Sequence, residues 1–253
     1  GPITRVPWEK DPEFLKAQKE HNTPTMMAAY RTVLPNPLPG EESNVHLGAK
    51  YLRGKVLKPG EVFSQNLTIG PYSQWRGFKE GPVYLGTQMS RTTGGGVCKI
   101  ASTLYNVAVL CNLPVIERHA HSMPVPYVPY GQDATVNYGA KDMKFTNNLS
   151  HPILIWSQGV ENNLYIAFYS NSSPPQVKWH HKVLKICYAL IRRSINRQYE
   201  NWHQTYQEYD NIYTMNLAEL WQMSLKNVPK FVFAPLANYA QAHCLMQLAQ
   251  TIF

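Results

Sequence analysis

Apolar residues along the middle of the chain recur at helical spacing. Ile100, Leu104, Val107, Ala108 and Cys111 fall at i, i+4, i+7, i+8 and i+11, which predicts one helix from about Val97 to Cys111. Gly94-Gly95-Gly96 breaks the chain before it and Pro114 follows its end. Val45, Gly48, Ala49 and Leu52 repeat the helical period over Asn44 to Arg53, with Gly48 a poor residue for a helix interior. "DPEFLKAQKE" predicts a short helix, with Asp11 as N-cap and Pro12 in the first turn. "LPNPLPGEE" reads as a linker or turn.

The pattern elsewhere shortens to period two or to brief apolar runs. "KPGEVFSQN" reads as a turn and a strand, and "GPVYLG" as a second strand. "VIERHAHSMPV", "DATVNYG", "KFTNN", "ILIWSQG" and "LYIAFYS" follow, punctuated by Gly, Asn and Pro. Short turns between successive strands predict an antiparallel arrangement. The expected fold class is therefore α+β: the helix bearing Cys98 packed on a mostly antiparallel, curved sheet. "NSSPP", at 171–175, marks a boundary. Beyond it the pattern predicts helices over 178–226, including an aromatic-rich one over Asn201 to Ser224, and another over Ala234 to Ile252. The organisation read from this is an N-terminal segment and linker over 1–40, a main domain over 41–175 and a helical extension over 176–253.

Composition narrows the class. The 253 residues are 44% hydrophobic and 16% charged, as in globular chains, and no apolar run reaches the roughly 20 residues of a membrane span. No signal peptide is visible, and the leading Gly-Pro reads as a remnant of tag removal. The net charge of +8 attracts polyanions, but Lys and Arg are spread along the chain and no nucleic-acid motif accompanies them, so nucleic acid is not expected as a partner. "HHKVLKICYALIRR" reads as a basic amphipathic helix. It either packs on its own domain with its charges in water or touches an anionic membrane surface.

Four cysteines, Cys98, Cys111, Cys187 and Cys244, form no CxxC pair. Cys98 stands apart because it opens the central helix directly after the glycines. Unpaired N–H groups and the positive end of the helix dipole favour a thiolate there, and the same N–H groups suit an oxyanion. The plain alternative is a buried structural cysteine. A nucleophilic thiolate needs a base. His119 and His121, two residues apart, share a face of an extended strand, and Asp133 is the nearest carboxylate downstream to orient one of them. The expected order is Cys98, His121, Asp133, with His119 in reserve. Cys98, His119 and His121 also form an allowed zinc set, although no other ligand-rich motif completes it. Asp133 has an alternative as a turn residue. Arg118 reads as a surface charge or a clamp for a substrate carboxylate.

"NVHLGAKYLRGKVLKPGEVFSQN", "GFKEGPVY", "TTGGGVCKIASTLYNVAVL", "ERHAHSMPVPYVPYGQDATV" and "DMKFTNNLSHPILI" together resemble the VanW-like family, from about Asn44 to Ile166. The resemblance implies bacterial cell-wall biology outside the cytoplasm. It also implies, for some members, peptidoglycan L,D-transpeptidation through a cysteine. On this sequence the cysteine is Cys98, and the Arg-His-x-His-Ser stretch falls on Arg118 to Ser122. Lys99 stands where the family usually has glutamine, and is expected to add positive charge beside the thiol. The implied chemistry passes a stem-peptide acyl group through a Cys98 thioester to an amine, giving 3→3 crosslinks, with no cofactor and no metal. Thr93, Gly95, Gly96, Val97, Lys99, Arg118 and Ser122 would contact substrate or oxyanion. A cysteine peptidase or carboxypeptidase on the same wall peptides, and a non-catalytic wall or glycopeptide-binding protein, are the alternatives.

Overall fold

The computed structural model describes residues 1–85, 88–122, 124–186, 190–199 and 207–214. Its first helix, α1 (Pro12–Glu20), starts where the sequence places it. The Asp11 side chain accepts the Glu13 N–H at 2.9 Å and Pro12 opens the first turn. In chain order follow β1 (Thr25–Val33), α2 (Glu41–Leu52), β2 (Lys55–Leu57), β3 (Val62–Ser64), α3 (Gln65–Ile69), a 3-10 turn (Gln74–Arg76), β4 (Glu80–Leu85), β5 (Gln88–Thr93), α4 (Cys98–Leu110), β6 (Val115–Glu117), β7 (Lys144–Thr146), β8 (Ile153–Val160) and β9 (Asn163–Ser170). Helices packed on antiparallel sheets make this an α+β fold, as the pattern predicts.

The central sheet has the order β1-β9-β8-β2, antiparallel throughout. Alternation along β8 explains its two covered faces. Ile153 and Ile155 join the core beneath α2 and α4, while Leu154 and Trp156 face Trp8 and Phe14 on the other side. Phe14 lies edge-on to Trp156, with ring centroids 5.2 Å apart, and the Trp8 indole N–H donates to the Tyr169 hydroxyl at 2.9 Å. The stretch read as an N-terminal segment thus contributes one sheet strand, β1, and one covering layer.

Gly48 has a packing reason. A Cβ there would come within 2.4 Å of the Ile100 side chain, so glycine lets α2 approach α4. Two smaller sheets, β3-β7-β6 and the β4-β5 hairpin, flank the start of α4.

The expected strand in "DATVNYG" is not formed. Around it only the isolated bridges His119–Thr135 and Asn137–Lys141 occur, and β6 ends at Glu117. The reason is competition for the backbone. Ser102 Oγ donates to the Ala134 carbonyl at 3.0 Å and accepts the Ala134 N–H at 2.9 Å, and Asn106 Nδ2 donates to the Gln132 carbonyl at 2.7 Å. Side chains of α4, one turn apart, take the place of a neighbouring strand.

The helical expectation for 178–226 is also corrected over 178–186, 190–199 and 207–214, and the rest of that range lies outside the described residues. The described backbone there is extended, in β10 (Val177–Ile186), β11 (Leu190–Tyr199) and β12 (Gln207–Thr214), paired antiparallel in that order. Val177, Trp179, His181 and Val183 alternate with Lys178, His180 and Lys182, so period two fits the sequence as well as the helical period does. The basic stretch 180–193 is therefore not a continuous amphipathic helix. The helix expected over 234–252 lies outside the described residues.

Candidate active site

The three glycines before Cys98 hold the chain close to its neighbours. At Gly95 a Cβ would lie 2.1 Å from the Gly81 carbonyl carbon, and Gly96 has φ +100° against Glu41. Asn44, fully buried in α2, fixes this loop with both ends of its amide. Its Nδ2 donates to the Lys79 and Gly95 carbonyls, each at 2.8 Å, and its Oδ1 accepts the Lys79 N–H at 2.7 Å. Gln65 Nε2 adds a 3.3 Å bond to the Val97 carbonyl. A rigid loop thus delivers Cys98 to the first turn of α4. Among the described residues, the N–H groups of Gly96 and Cys98 have no protein acceptor.

A cavity of about 830 Å³ opens over the half-buried thiol, within the size range of small-ligand sites. Thr93, Gly95, Gly96, Val97, Cys98, His121 and Ser122 all line it. Cys98 Sγ lies 3.2 Å from Thr135 Oγ1, and the Val136 N–H donates to it at 3.5 Å. His121 Nδ1 is 2.6 Å from Asp133 Oδ2, and the same oxygen accepts the His121 N–H at 2.7 Å. Asp133 sits behind the cavity wall, fully buried.

The electrostatics follow from that chain of contacts. Burial pushes the Cys98 thiol up. The hydrogen bond to His121 and its charge, with Thr135 and Val136, more than offset this and hold the thiol below its ordinary value. Burial likewise disfavours charge on His121, but its hydrogen bonds to Asp133 and Cys98 and their charges raise it. Asp133 is pushed up by burial and brought down further by His121 and Arg118, so its carboxyl stays ionised. The arrangement favours a thiolate–imidazolium pair backed by a carboxylate. By contrast Cys111, buried among apolar residues, has its thiol pushed well up by burial and is inert.

Besides Asp133, three residues named from the sequence do not line the cavity. Arg118 is neither a surface charge nor a clamp on substrate. Its Nε donates to the Asp133 carbonyl at 2.7 Å, its Nη2 to Asp133 Oδ1 at 3.0 Å, and its guanidinium lies 5.0 Å from the centre of the Tyr105 ring. It fixes the carboxylate that fixes the histidine. His119 turns to Glu117, 3.1 Å away, so the paired projection of His119 and His121 is lost once the strand ends at Glu117. This also leaves the Cys98, His119, His121 zinc set unassembled. Lys99 is 1% exposed and points away from the thiol. Its Nζ donates to Glu42 Oε1 at 2.7 Å and to the Asn162 carbonyl at 2.8 Å.

Sequence reasoning missed Asn44, Gln65, Thr135 and the pinning role of Ser102 and Asn106. The last two were visible as polar residues at i and i+4 within a mostly apolar helix.

The family model described as VanW like protein matches residues 40–169, just over half of the chain. The chain belongs to the VanW-like family. The uncharacterized protein YoaR of Bacillus subtilis (strain 168) is 33% identical over 151 residues, covering 60% of this chain and 50% of YoaR. The vancomycin B-type resistance protein VanW of Enterococcus faecalis (strain ATCC 700802 / V583) is 30% identical over 118 residues, covering 45% of this chain and 43% of that protein. The chain thus spans half or less of the length of these VanW-like relatives. No solved structure matches it significantly.

Proposed function

We propose that this VanW-like chain is a cysteine acyltransferase of the bacterial cell envelope, acting on peptidoglycan stem peptides as an L,D-transpeptidase. One observation carries the reading: Cys98, His121 and Asp133 form a linked chain, with the thiol on the wall of a peptide-sized cavity. The name of the Enterococcus relative, a vancomycin resistance protein, supports the cell-wall setting. Among the described residues no helix is long and apolar enough to cross a membrane.

In this mechanism the Cys98 thiolate attacks the carbonyl of the third stem residue, and the N–H groups of Gly96 and Cys98 hold the oxyanion. The C–N bond to the terminal D-Ala breaks as the His121 imidazolium gives its proton to the leaving amine. The thioester is then attacked by an amine of a second stem. His121 takes the proton from that amine, the thiolate leaves, and a 3→3 crosslink results. Asp133 keeps His121 Nδ1 engaged so that its other ring nitrogen serves the thiol, and Arg118 keeps Asp133 in place.

The test is mass spectrometry of tetrapeptide muropeptides incubated with the protein, beside Cys98→Ala. Crosslinked dimers with loss of D-Ala, absent in the variant, are expected. Tripeptide without dimers would instead mean that water is the acceptor. No change across several stem types, with the thiol reduced, would refute catalysis on these substrates.

A further inference from the structure

The cavity wall carries three charged side chains besides the Cys98–His121 pair: Glu41, Arg91 and Lys141. Two are already engaged. Glu41 Oε2 accepts the Leu38 N–H at 3.0 Å, and Arg91 Nη2 reaches the Pro39 and Glu80 carbonyls at 3.3 and 3.4 Å. Lys141 differs. Its backbone is pinned on both sides: its N–H donates to the Asn137 carbonyl at 2.8 Å, and its own carbonyl accepts from the Asn137 N–H at 2.9 Å and from Asn66 Nδ2 at 2.9 Å. Its ammonium has no hydrogen bond or ion pair among the described residues.

The pinning fixes where the exposed Lys141 side chain leaves the backbone relative to the thiol. Val136, whose N–H touches Cys98 Sγ, directly precedes Asn137, and Asn137 faces Lys141 across the bridge. Cα atoms paired in this way lie about 5.5 Å apart, and a lysine stem spans about as far again, within reach of a group one or two residues along a bound peptide. An acyl donor cut next to its C-terminus carries a free carboxylate one residue beyond the attacked carbonyl, within that reach.

We propose that Lys141 is the carboxylate subsite of this cavity, binding the terminal carboxylate of the peptide donor and so selecting donors that end one residue beyond the scissile bond. The inference rests on the acyl-transfer reading above and adds the residue that sets its substrate class.

The test compares two reagents of one shape on Cys98, iodoacetate and iodoacetamide. In each the thiolate displaces iodide, and only the first brings a carboxylate. Rates are followed by mass spectrometry for the wild type, Lys141→Gln, Lys141→Glu and Lys50→Gln, the last removing an equal charge from an exposed site on α2. Lys141→Gln lowers the iodoacetate-to-iodoacetamide ratio about fivefold, the factor for one charge about 4 Å from a carboxylate in water. Lys141→Glu lowers it further and Lys50→Gln leaves it unchanged. Added salt reduces the wild-type ratio more than that of Lys141→Gln. A ratio in Lys141→Gln within about twofold of wild type, or an equal slowing with both reagents, overturns the assignment while leaving the acyl-transfer reading intact. A folded protein whose Cys98 neither reagent labels defeats that reading, and this inference with it. With peptides, Lys141→Gln raises KM for the free-acid tetrapeptide and not for its C-terminal amide. An equal rise for both assigns Lys141 to a side-chain carboxylate instead and overturns the terminal assignment.

Discussion

Replacing Asp133 by asparagine tests the chain of contacts behind the thiol. The variant keeps the shape and removes the charge that His121 Nδ1 meets at 2.6 Å and the His121 N–H meets at 2.7 Å. A hydrogen bond to a charged group is worth about 1.5–3 kcal/mol, and 1.36 kcal/mol corresponds to one pH unit in an ionisation. His121 therefore loses part of its hold on the proton, and the thiolate it stabilises loses that support. The midpoint for Cys98 ionisation, below the ordinary 9.0 in the wild type, rises by about one to two pH units. The assay is the rate of Cys98 alkylation by iodoacetamide against pH. Stability also falls, because the nearly buried Arg118 loses its counter-charge, at a cost of about 3 kcal/mol in urea unfolding. The pH dependence of that loss has a definite sign. The His121 value is raised from 6.5 to about 9, so its contribution is complete below 6.5 and disappears as pH rises through about 9. The Asp133 value is lowered from 3.8, so its contribution holds above 3.8 and is lost as pH falls through the lower folded value. The stability gap between wild type and variant is thus widest between those limits. A folded variant whose alkylation midpoint coincides with the wild type would refute the claim that Asp133 acts through His121 on the thiol.

Gly95→Ala drives a Cβ into the Gly81 backbone, costs about 1–3 kcal/mol in urea unfolding and slows Cys98 alkylation; unchanged stability would show that the loop has room to spare. Lys99→Gln removes the ammonium from Glu42 and costs about 1–3 kcal/mol, yet leaves the alkylation midpoint where it was. A midpoint that moved up would restore Lys99 as a direct influence on the thiol. Trp8→Ala empties the layer that Phe14 and Tyr169 share with it and costs about 3–5 kcal/mol, with no effect on the alkylation midpoint of the folded protein. A loss below about 1 kcal/mol would mean that this layer is dispensable.

Local order along the chain determined a good deal. The stripe on α4, the small residues of α2 and the capped start of α1 were all readable, because a helix imposes one period on its buried face. So was the coincidence of glycine loop, cysteine and helix start, because that arrangement is chemical as well as structural. The partners of the cysteine were readable only as types: a histidine nearby in sequence and a carboxylate after it. Which histidine, and what Arg118 and Lys99 do, depended on where chain segments far apart in sequence meet. His121 and His119 have the same chemistry, but β6 ends at Glu117, and only His121 lines the cavity. Lys99 follows Cys98 directly, but on a helix neighbouring side chains diverge, and Glu42 on α2 captures its charge. Arg118 could be assigned only once Asp133 lay beside it, and Asp133 lies there because Ser102 and Asn106 hold the backbone of Ala134 and Gln132, on either side of it, to α4. Over 177–186 the sequence fits two periods almost equally well, so local pattern could not choose, and cross-strand pairing with 190–199 made that choice. Periodicity is a property of neighbours along the chain and is written in the sequence. The direction of a charged side chain is set by whichever distant group satisfies it at least cost, and that group is found only in the folded molecule.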